Sequence, residues 1–286
     1  MTSPPVGVVG CGLMGSGIAE VLARAGRTVL VHEVDDTAAE RGRARVQTSL
    51  GRAVRNGKLS PEQEAEILER IVLGTELEAL ADADLVIEAA SEDEAVKTSL
   101  FGRLDAVLVR DDAVLASNTS SIPIMKLGTA TKRPEQVVGM HFFNPVPVLP
   151  LVEVVPSLLT SAATISKVQK LAEDDLGKTV VRSQDRAGFI VNALLVPYLL
   201  SAVRMMESGF ASAEDIDAGM VRGCAHPMGP LALSDLIGLD TVAAIAQSMY
   251  GEFKEPLYSP PPMLLRMVDA GLLGRKSGRG FYEYAR

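Results

Sequence analysis

The chain is expected to be an α/β protein: a doubly wound, mainly parallel sheet in its first two thirds, followed by an all-helical C-terminal domain. Three observations predict this. Short β-branched runs alternate with helical stretches up to about residue 185, which requires crossover connections and a sheet covered on both faces. The first run ends in the glycine-rich turn "GCGLMG" and opens directly into a helical stretch. Beyond residue 185 the strand signals stop and helical periodicity remains.

The elements follow in order. Val6–Gly10 is an apolar run bounded by glycines, and Leu13–Ala25 has helical patterning that stops at Gly26. Thr28–Glu33 is the next strand. A long polar helical region from about Thr37 to Arg70 follows, read as a helical insertion over 36–70. Ile71–Leu73, Leu85–Glu88, Ala113–Ala116 and Val137–Met140 are further strands, and Val152–Val155 and Thr179–Val181 complete the sheet. The first domain is therefore expected over 1–185 and the helical one over 186–286. In the second, Ser212 and Asp215 have capping-box spacing, and Gly209 and Gly223 sit where helix C-caps belong.

Composition narrows the class of partner. A chain of 286 residues that is 47% hydrophobic and 22% charged is ordinary for a globular protein. A formal net charge of −8 and a pI near 5.1 argue against nucleic acid or an anionic membrane as a partner. The two cysteines, Cys11 and Cys224, lie far apart, without the spacing of a metal site or a disulfide framework, as expected in a reducing cytoplasm. The start "MTSPPVGVVG" lacks the features of a signal peptide. The longest apolar stretch, Phe189–Val203, contains Asn192 and Pro197 and falls short of the roughly 20 residues that span a bilayer. A cytoplasmic protein with no membrane segment is expected.

Gly10, Gly12 and Gly15 form G-x-G-x-x-G between a strand and a helix, the fingerprint of a Rossmann-type dinucleotide site. Gly10 permits the tight turn, Gly12 lets a pyrophosphate approach the backbone, and Gly15 allows close helix–strand packing. The helix start then offers N–H groups to the anion. Glu33 closes the second strand, where a carboxylate accepts from the adenosine ribose and repels a 2′-phosphate. Asp35, Asp36 and Glu40 follow before the first arginine, Arg41, so NAD is expected rather than NADP.

Of three histidines, His141 stands at the end of an apolar run in "MHFFNPVP". The residues alone leave it a satisfied core residue, a metal ligand or a catalytic base. The carboxyl end of a parallel strand is where open α/β sheets bind ligands, and imidazole titrates near neutrality. Glu153 in "LVEVV" is an acid flanked by apolar residues, which is usually exposed or paired. His32, His141 and His226 show no metal-ligand spacing, so no metal is expected. His32 is read as a strand-edge residue and His226 as part of a loop between helices.

Together, "GCGLMGSGIA", "LVIEAASED", "LASNTSSIPI", "GMHFFNPVPVLPLVEVV", "GFIVNALLVPYL", "HPMGPLALSDLIGLD" and "GRKSGRGFYEY" resemble the L-3-hydroxyacyl-CoA dehydrogenase family over essentially the whole chain. The short-chain bacterial 3-hydroxybutyryl-CoA dehydrogenases of that family look most similar. The resemblance implies an NAD-dependent oxidoreductase that interconverts (S)-3-hydroxyacyl-CoA and 3-ketoacyl-CoA by hydride transfer, with acyl-CoA as substrate and a homodimer as the assembly. It maps the catalytic His–Glu pair onto His141 and Glu153.

Other positions carry over one at a time. Gly10, Gly12, Leu13, Met14, Gly15 and Glu33 match the cofactor loop. Ser120 resembles the serine beside the substrate oxygen and the nicotinamide, though Ser/Thr clusters also build turns. Asn144 and Asn192 resemble amide partners of the reacting centre. Glu92 and Lys97 resemble contacts to the nicotinamide ribose, and Lys276 a cofactor contact; a solvated surface lysine is the alternative for both lysines.

Arg41, Arg45, Ser49, Arg52 and Arg55 share one helix face, which could hold the phosphates of coenzyme A or be merely solvated. Of these, Ser49, Arg52 and Arg55 are read as substrate contacts, although the family often has lysines in this helix where this chain has arginines and Asn56. Two departures from the family stand out: Ala187 replaces a proline before the "GF" step, and Ala193 an arginine after Asn192. Two other functions remain open: a dehydrogenase of the same fold acting on a carrier-protein-bound or free hydroxy acid, and a non-catalytic NAD-binding protein.

Overall fold

A computed structural model of the chain describes residues 4–284, and its backbone divides into two compact units after Asp185. In the first, eight strands form one sheet among the described residues. They are β1 (Val6–Val9), β2 (Val29–His32), β3 (Ile71–Gly74), β4 (Leu85–Glu88), β5 (Val114–Ser117), β6 (Val137–Phe142), β7 (Leu151–Pro156) and β8 (Thr179–Arg182). Their spatial order is β3-β2-β1-β4-β5-β6-β7-β8. Strands β1 to β6 pair in parallel. The β6–β7 pair is antiparallel and β7–β8 parallel again. The order reverses between β2 and β4 about β1, the place where such sheets bind dinucleotides.

The first unit's helices are α1 (Leu13–Arg24), α2 (Asp36–Arg55), α3 (Pro61–Glu69), α4 (Glu94–Val107), α5 (Ile124–Thr129) and α6 (Ala162–Lys170). Strands β1, β4 and β5 are buried at every position, as expected of strands covered on both faces. One core cluster joins Val6, Val8 and Ile87 of the sheet to Ile18 and Leu22 of α1 and to Val46 and Leu50 of α2. Fully burying each such side chain stabilises the fold by roughly 1.5–3 kcal/mol.

The polar region 37–70 is two helices rather than one. The chain turns at Gly57, which has φ +67°. It restarts at Ser60, whose hydroxyl accepts from Gln63 N–H while the Gln63 side chain accepts from Ser60 N–H, with Pro61 at the first helical position. Strand β6 also runs two residues past the expected end at Met140. Phe142 pairs with Val152 of β7 and its N–H donates to Asn118 Oδ1 at 2.9 Å, so His141 lies inside the strand. His32 ends β2, which lies between β1 and β3, so it is not on an edge strand.

The second unit is helical: α7 (Val191–Glu207), α8 (Ala213–Cys224), α9 (Pro230–Ile237), α10 (Leu239–Phe253) and α11 (Pro262–Asp269). Val196, Leu199, Leu200, Leu231, Val242 and Met249 lie in its core. Gly209, with φ +70°, follows the end of α7 as expected. Gly223 does not end α8; it lies within the helix, and Ala225 takes the left-handed conformation at φ +55°. Ser212 caps α8 by accepting from Asp215 N–H, but the Asp215 carboxylate accepts from the Ser212 hydroxyl rather than from its N–H, so the box is half made. No single helix among the described residues is long and apolar enough to cross a membrane.

Candidate active site

The glycine loop is built for a close ligand. Gly10 has φ +88°, and a Cβ there would meet Ala89 O at 2.8 Å. A Cβ on Gly15 would fall 1.8 Å from Gly10 O. At Gly12, by contrast, nothing beyond its own chain neighbours lies within 4 Å of a built Cβ, so this approach is open. Gly12 is also the N-cap of α1, and no side chain caps that helix. An open glycine at an uncapped helix start suits a pyrophosphate. Leu13 and Met14 form the first turn, Leu13 exposed and Met14 half-buried. The Glu33 carboxylate accepts from Cys11 N–H within this loop and from Val34 N–H at 3.3 Å. These residues fit a dinucleotide.

Helix α2 lies directly against the loop: a Cβ on Gly42 would come 2.6 Å from Cys11 Cβ. Burial pushes the Cys11 thiol up to about 12, with Glu33 adding to the effect. Arg45 Nη1 reaches Cys11 O at 3.4 Å. Arg41, Arg45, Arg52 and Arg55 are exposed along α2, whereas Ser49 is half-buried at the margin of that face. Burial raises the Glu20 pKa, and Ser49 and Arg24 pull it back in part.

At the carboxyl ends of β4 and β5 lies a compact polar network. Glu88 is fully buried and Lys97 1% exposed, with Nζ–Oε1 at 2.5 Å. Lys97 is therefore not a solvated surface lysine; its ammonium also lies 3.4 Å from Glu92 Oε2 and from Ala90 O. Glu92 Oε1 accepts from Thr119 Oγ1 at 2.6 Å, Ser120 N–H at 2.9 Å, Ser121 Oγ at 3.1 Å and Ser120 Oγ at 3.2 Å. Burial pushes the Glu92 pKa up, but the Lys97 charge and these hydrogen bonds outweigh it, and the net shift is downward. Ser120 is thus held by a carboxylate.

On the next two strands, His141 Nδ1 lies 2.6 Å from Glu153 Oε2. The pair are direct register partners across the antiparallel β6–β7 ladder, so both side chains project from one face. His141 is 6% exposed and Glu153 fully buried. The Phe143 ring stands edge-on at 4.6 Å from the imidazole. A carboxylate on Nδ1 fixes that nitrogen as the donor and leaves Nε2 to act as the acceptor. Asn144 follows, exposed and in cis peptide linkage to Pro145.

Asn192 and Lys276 belong to the second unit. Asn192 is buried in the first turn of α7. The Lys276 ammonium lies 2.6 Å from both Asp240 carboxylate oxygens, so a carboxylate of its own unit holds it. His226 sits in the α8–α9 loop with Nδ1 3.1 Å from Tyr198 Oη. Among the described residues, no cluster of three His, Cys, Asp or Glu could hold a metal. Ala187 donates its N–H to Glu252 Oε2 at 3.2 Å, a hydrogen bond that a proline there could not make.

The sequence reading missed Glu88, Ser117 and Asn118. Glu88 and Ser117 end adjacent strands as register partners, and a polar residue closing a buried strand was the available signal.

A dinucleotide cradle and a histidine–carboxylate pair on one parallel-sheet unit define a pyridine-nucleotide oxidoreductase. Comparison with known proteins narrows the class. Residues 5–186 match the family model for the 3-hydroxyacyl-CoA dehydrogenase NAD-binding domain, and 188–284 that for the C-terminal domain of the same enzymes. A 3-hydroxybutyryl-CoA dehydrogenase of Mycobacterium tuberculosis is 60% identical over 279 residues, covering 98% of each chain. The crystal structure of M. tuberculosis FadB2 superposes with a TM-score of 0.98 at 58% identity, covering 100% of both chains. That of (S)-3-hydroxybutyryl-CoA dehydrogenase PaaH1 from Ralstonia eutropha gives 0.92 at 43% identity, covering 99% of both. The chain belongs to the 3-hydroxyacyl-CoA dehydrogenase family.

Proposed function

We propose that the protein interconverts (S)-3-hydroxyacyl-CoA and 3-ketoacyl-CoA with NAD, and that 3-hydroxybutyryl-CoA is its substrate. The observation that carries the reading is the buried His141–Glu153 pair, at 2.6 Å, in a chain of this family. Bound NAD supplies the hydride acceptor. Gly10, Gly12, Leu13, Met14 and Gly15 would hold its pyrophosphate, and Glu33 would accept from the adenosine ribose hydroxyls.

In the oxidative direction His141 Nε2 takes the hydroxyl proton, and Glu153 stabilises the imidazolium that forms. Ser120 and Asn144 orient the oxygen as its charge develops. Glu92 and Lys97 would serve the nicotinamide ribose, Lys97 being the counter-ion of two carboxylates. Arg52 and Arg55, exposed on α2, take the phosphates of coenzyme A. Ser49, half-buried at the margin of the same face, is placed with them, and Lys276 is held by Asp240 within its own unit.

The assembly is a cytoplasmic homodimer in this reading. Apolar side chains left exposed on the helical unit, Leu194 at 74% and Phe210 at 78%, support self-association. The deciding experiment is steady-state NADH consumption with acetoacetyl-CoA, longer ketoacyl-CoAs, free acetoacetate and a carrier-bound form, each repeated with NADPH. Turnover confined to CoA thioesters with NADH supports the proposal. No consumption on any acyl-CoA, with NADH binding retained, would favour a non-catalytic NAD-binding protein.

A further inference from the structure

Glu88 lies at the end of β4, fully buried, one strand away from Ser120 and outside the roles assigned above. Its two carboxylate oxygens run toward the Thr119–Ser121 loop by separate routes. Oε1 holds the Lys97 ammonium at 2.5 Å. Lys97 in turn lies 3.4 Å from Glu92 Oε2, and Glu92 Oε1 accepts from Ser120 N–H and Ser120 Oγ. Oε2 accepts from Ser117 Oγ at 2.6 Å, and Ser117 Oγ accepts from Thr119 N–H at 3.2 Å. Glu88 also accepts from Ala90 N–H at 2.7 Å, which fixes the chain entering the Glu92 turn.

A buried carboxylate with a buried ammonium is costly unless every hydrogen-bonding position is used. Here every one of these contacts leads to the β4 and β5 carboxyl ends. A purely stabilising pair would need no such convergence.

We infer that Glu88 is a positioning residue that sets where the Ser120 hydroxyl stands, acting through Lys97–Glu92 on one side and Ser117–Thr119 on the other. It does not touch the reacting atoms. The meaning of Ser120 rests on the dehydrogenase reading, but the geometry of the loop does not.

Two measurements test this. The first is hydrogen–deuterium exchange of the unliganded protein over Ser117–Ile122. Glu88→Gln keeps the shape and removes the charge, and the Thr119–Ser121 amides are expected to exchange faster than in the parent. Unchanged protection there overturns the inference, whether or not the enzyme turns over acyl-CoA.

The second is a double-mutant cycle on kcat with acetoacetyl-CoA and NADH. Glu88→Gln should lower kcat between about tenfold and a hundredfold when Ser120 is present, as misplacement of a reacting group does. In a Ser120→Ala background the same change should cost less than about twofold, because the two act as one unit. Equal losses in both backgrounds overturn the inference. The thermal midpoint of Glu88→Gln separates folding from positioning. A loss of kcat that persists well below that midpoint is expected; a loss that vanishes there overturns the inference.

Discussion

His141 Nδ1 and Glu153 Oε2 stand 2.6 Å apart, with the carboxylate fully buried. Solvent therefore cannot replace Glu153 as the partner of the imidazole, and the two should behave as one functional group.

His141→Gln is expected to lower kcat by about 10²–10⁴-fold while NADH still binds. Glu153→Gln should cost less, because the ring keeps a hydrogen-bond partner but loses the charge that stabilises imidazolium. The double variant should be little worse than His141→Gln alone. Steady-state kinetics with an NADH fluorescence titration checks all three. An additive double variant would show that the residues work independently.

Gly12→Ala and Gly15→Ala separate ligand approach from packing. The Gly12 Cβ enters open space, so stability should fall by no more than about 1 kcal/mol while NADH affinity drops. The Gly15 Cβ meets Gly10 O, so α1 must shift, at a cost of about 1–3 kcal/mol. Urea denaturation and NADH titration of both variants measure the contrast.

Glu33→Ala removes the carboxylate that accepts from Cys11 N–H. Activity with NADH should fall by roughly tenfold or more, the usual loss of a charged hydrogen-bond partner. Activity with NADPH should not fall in parallel, so the preference narrows. Comparing kcat/KM for the two cofactors reads this directly, and an unchanged ratio would remove Glu33 as the discriminating residue.

His32 gives a pH dependence whose sign can be worked out. Burial lowers its pKa below 6.5, and Arg103 lowers it further against the pull of Glu33, Glu78 and Glu76. Its Nδ1 has no hydrogen-bond partner among the described residues. As pH falls below 6.5 the unfolded chain binds the proton first, so stability declines from there through the lower folded-state pKa. His32→Gln should flatten that part of the profile, measured as urea midpoint against pH.

Much of this was legible in the residues. Strand and helix order followed from β-branched runs alternating with helical stretches, because buried parallel strands must be apolar throughout. "GCGLMG" located the cradle, since only glycine serves at φ +88° or against a carbonyl at 1.8 Å. The His141–Glu153 partnership rested on family resemblance, because cross-strand register joins residues that spacing alone does not relate. The burial of Lys97 escaped the reading for a similar reason. Its surroundings come from two strand ends and a distant loop, so a lysine in a polar sequence context proved to be 1% exposed. The break at Gly57–Ser60 was written locally, in a glycine followed by Ser-Pro-x-Gln, but it was masked by polar residues on both sides.

The β6–β7 ladder also constrains how the gene can vary. Residues 143–150 join the strands as a loop, whereas the ladder itself alternates faces with every residue. Removing a single codon between Leu151 and Glu153 would let β7 re-pair one place out of step. The sheet could persist in outline while Glu153 turned away from His141. A frame-preserving deletion in the strand should therefore cost activity even where a substitution that keeps the register does not.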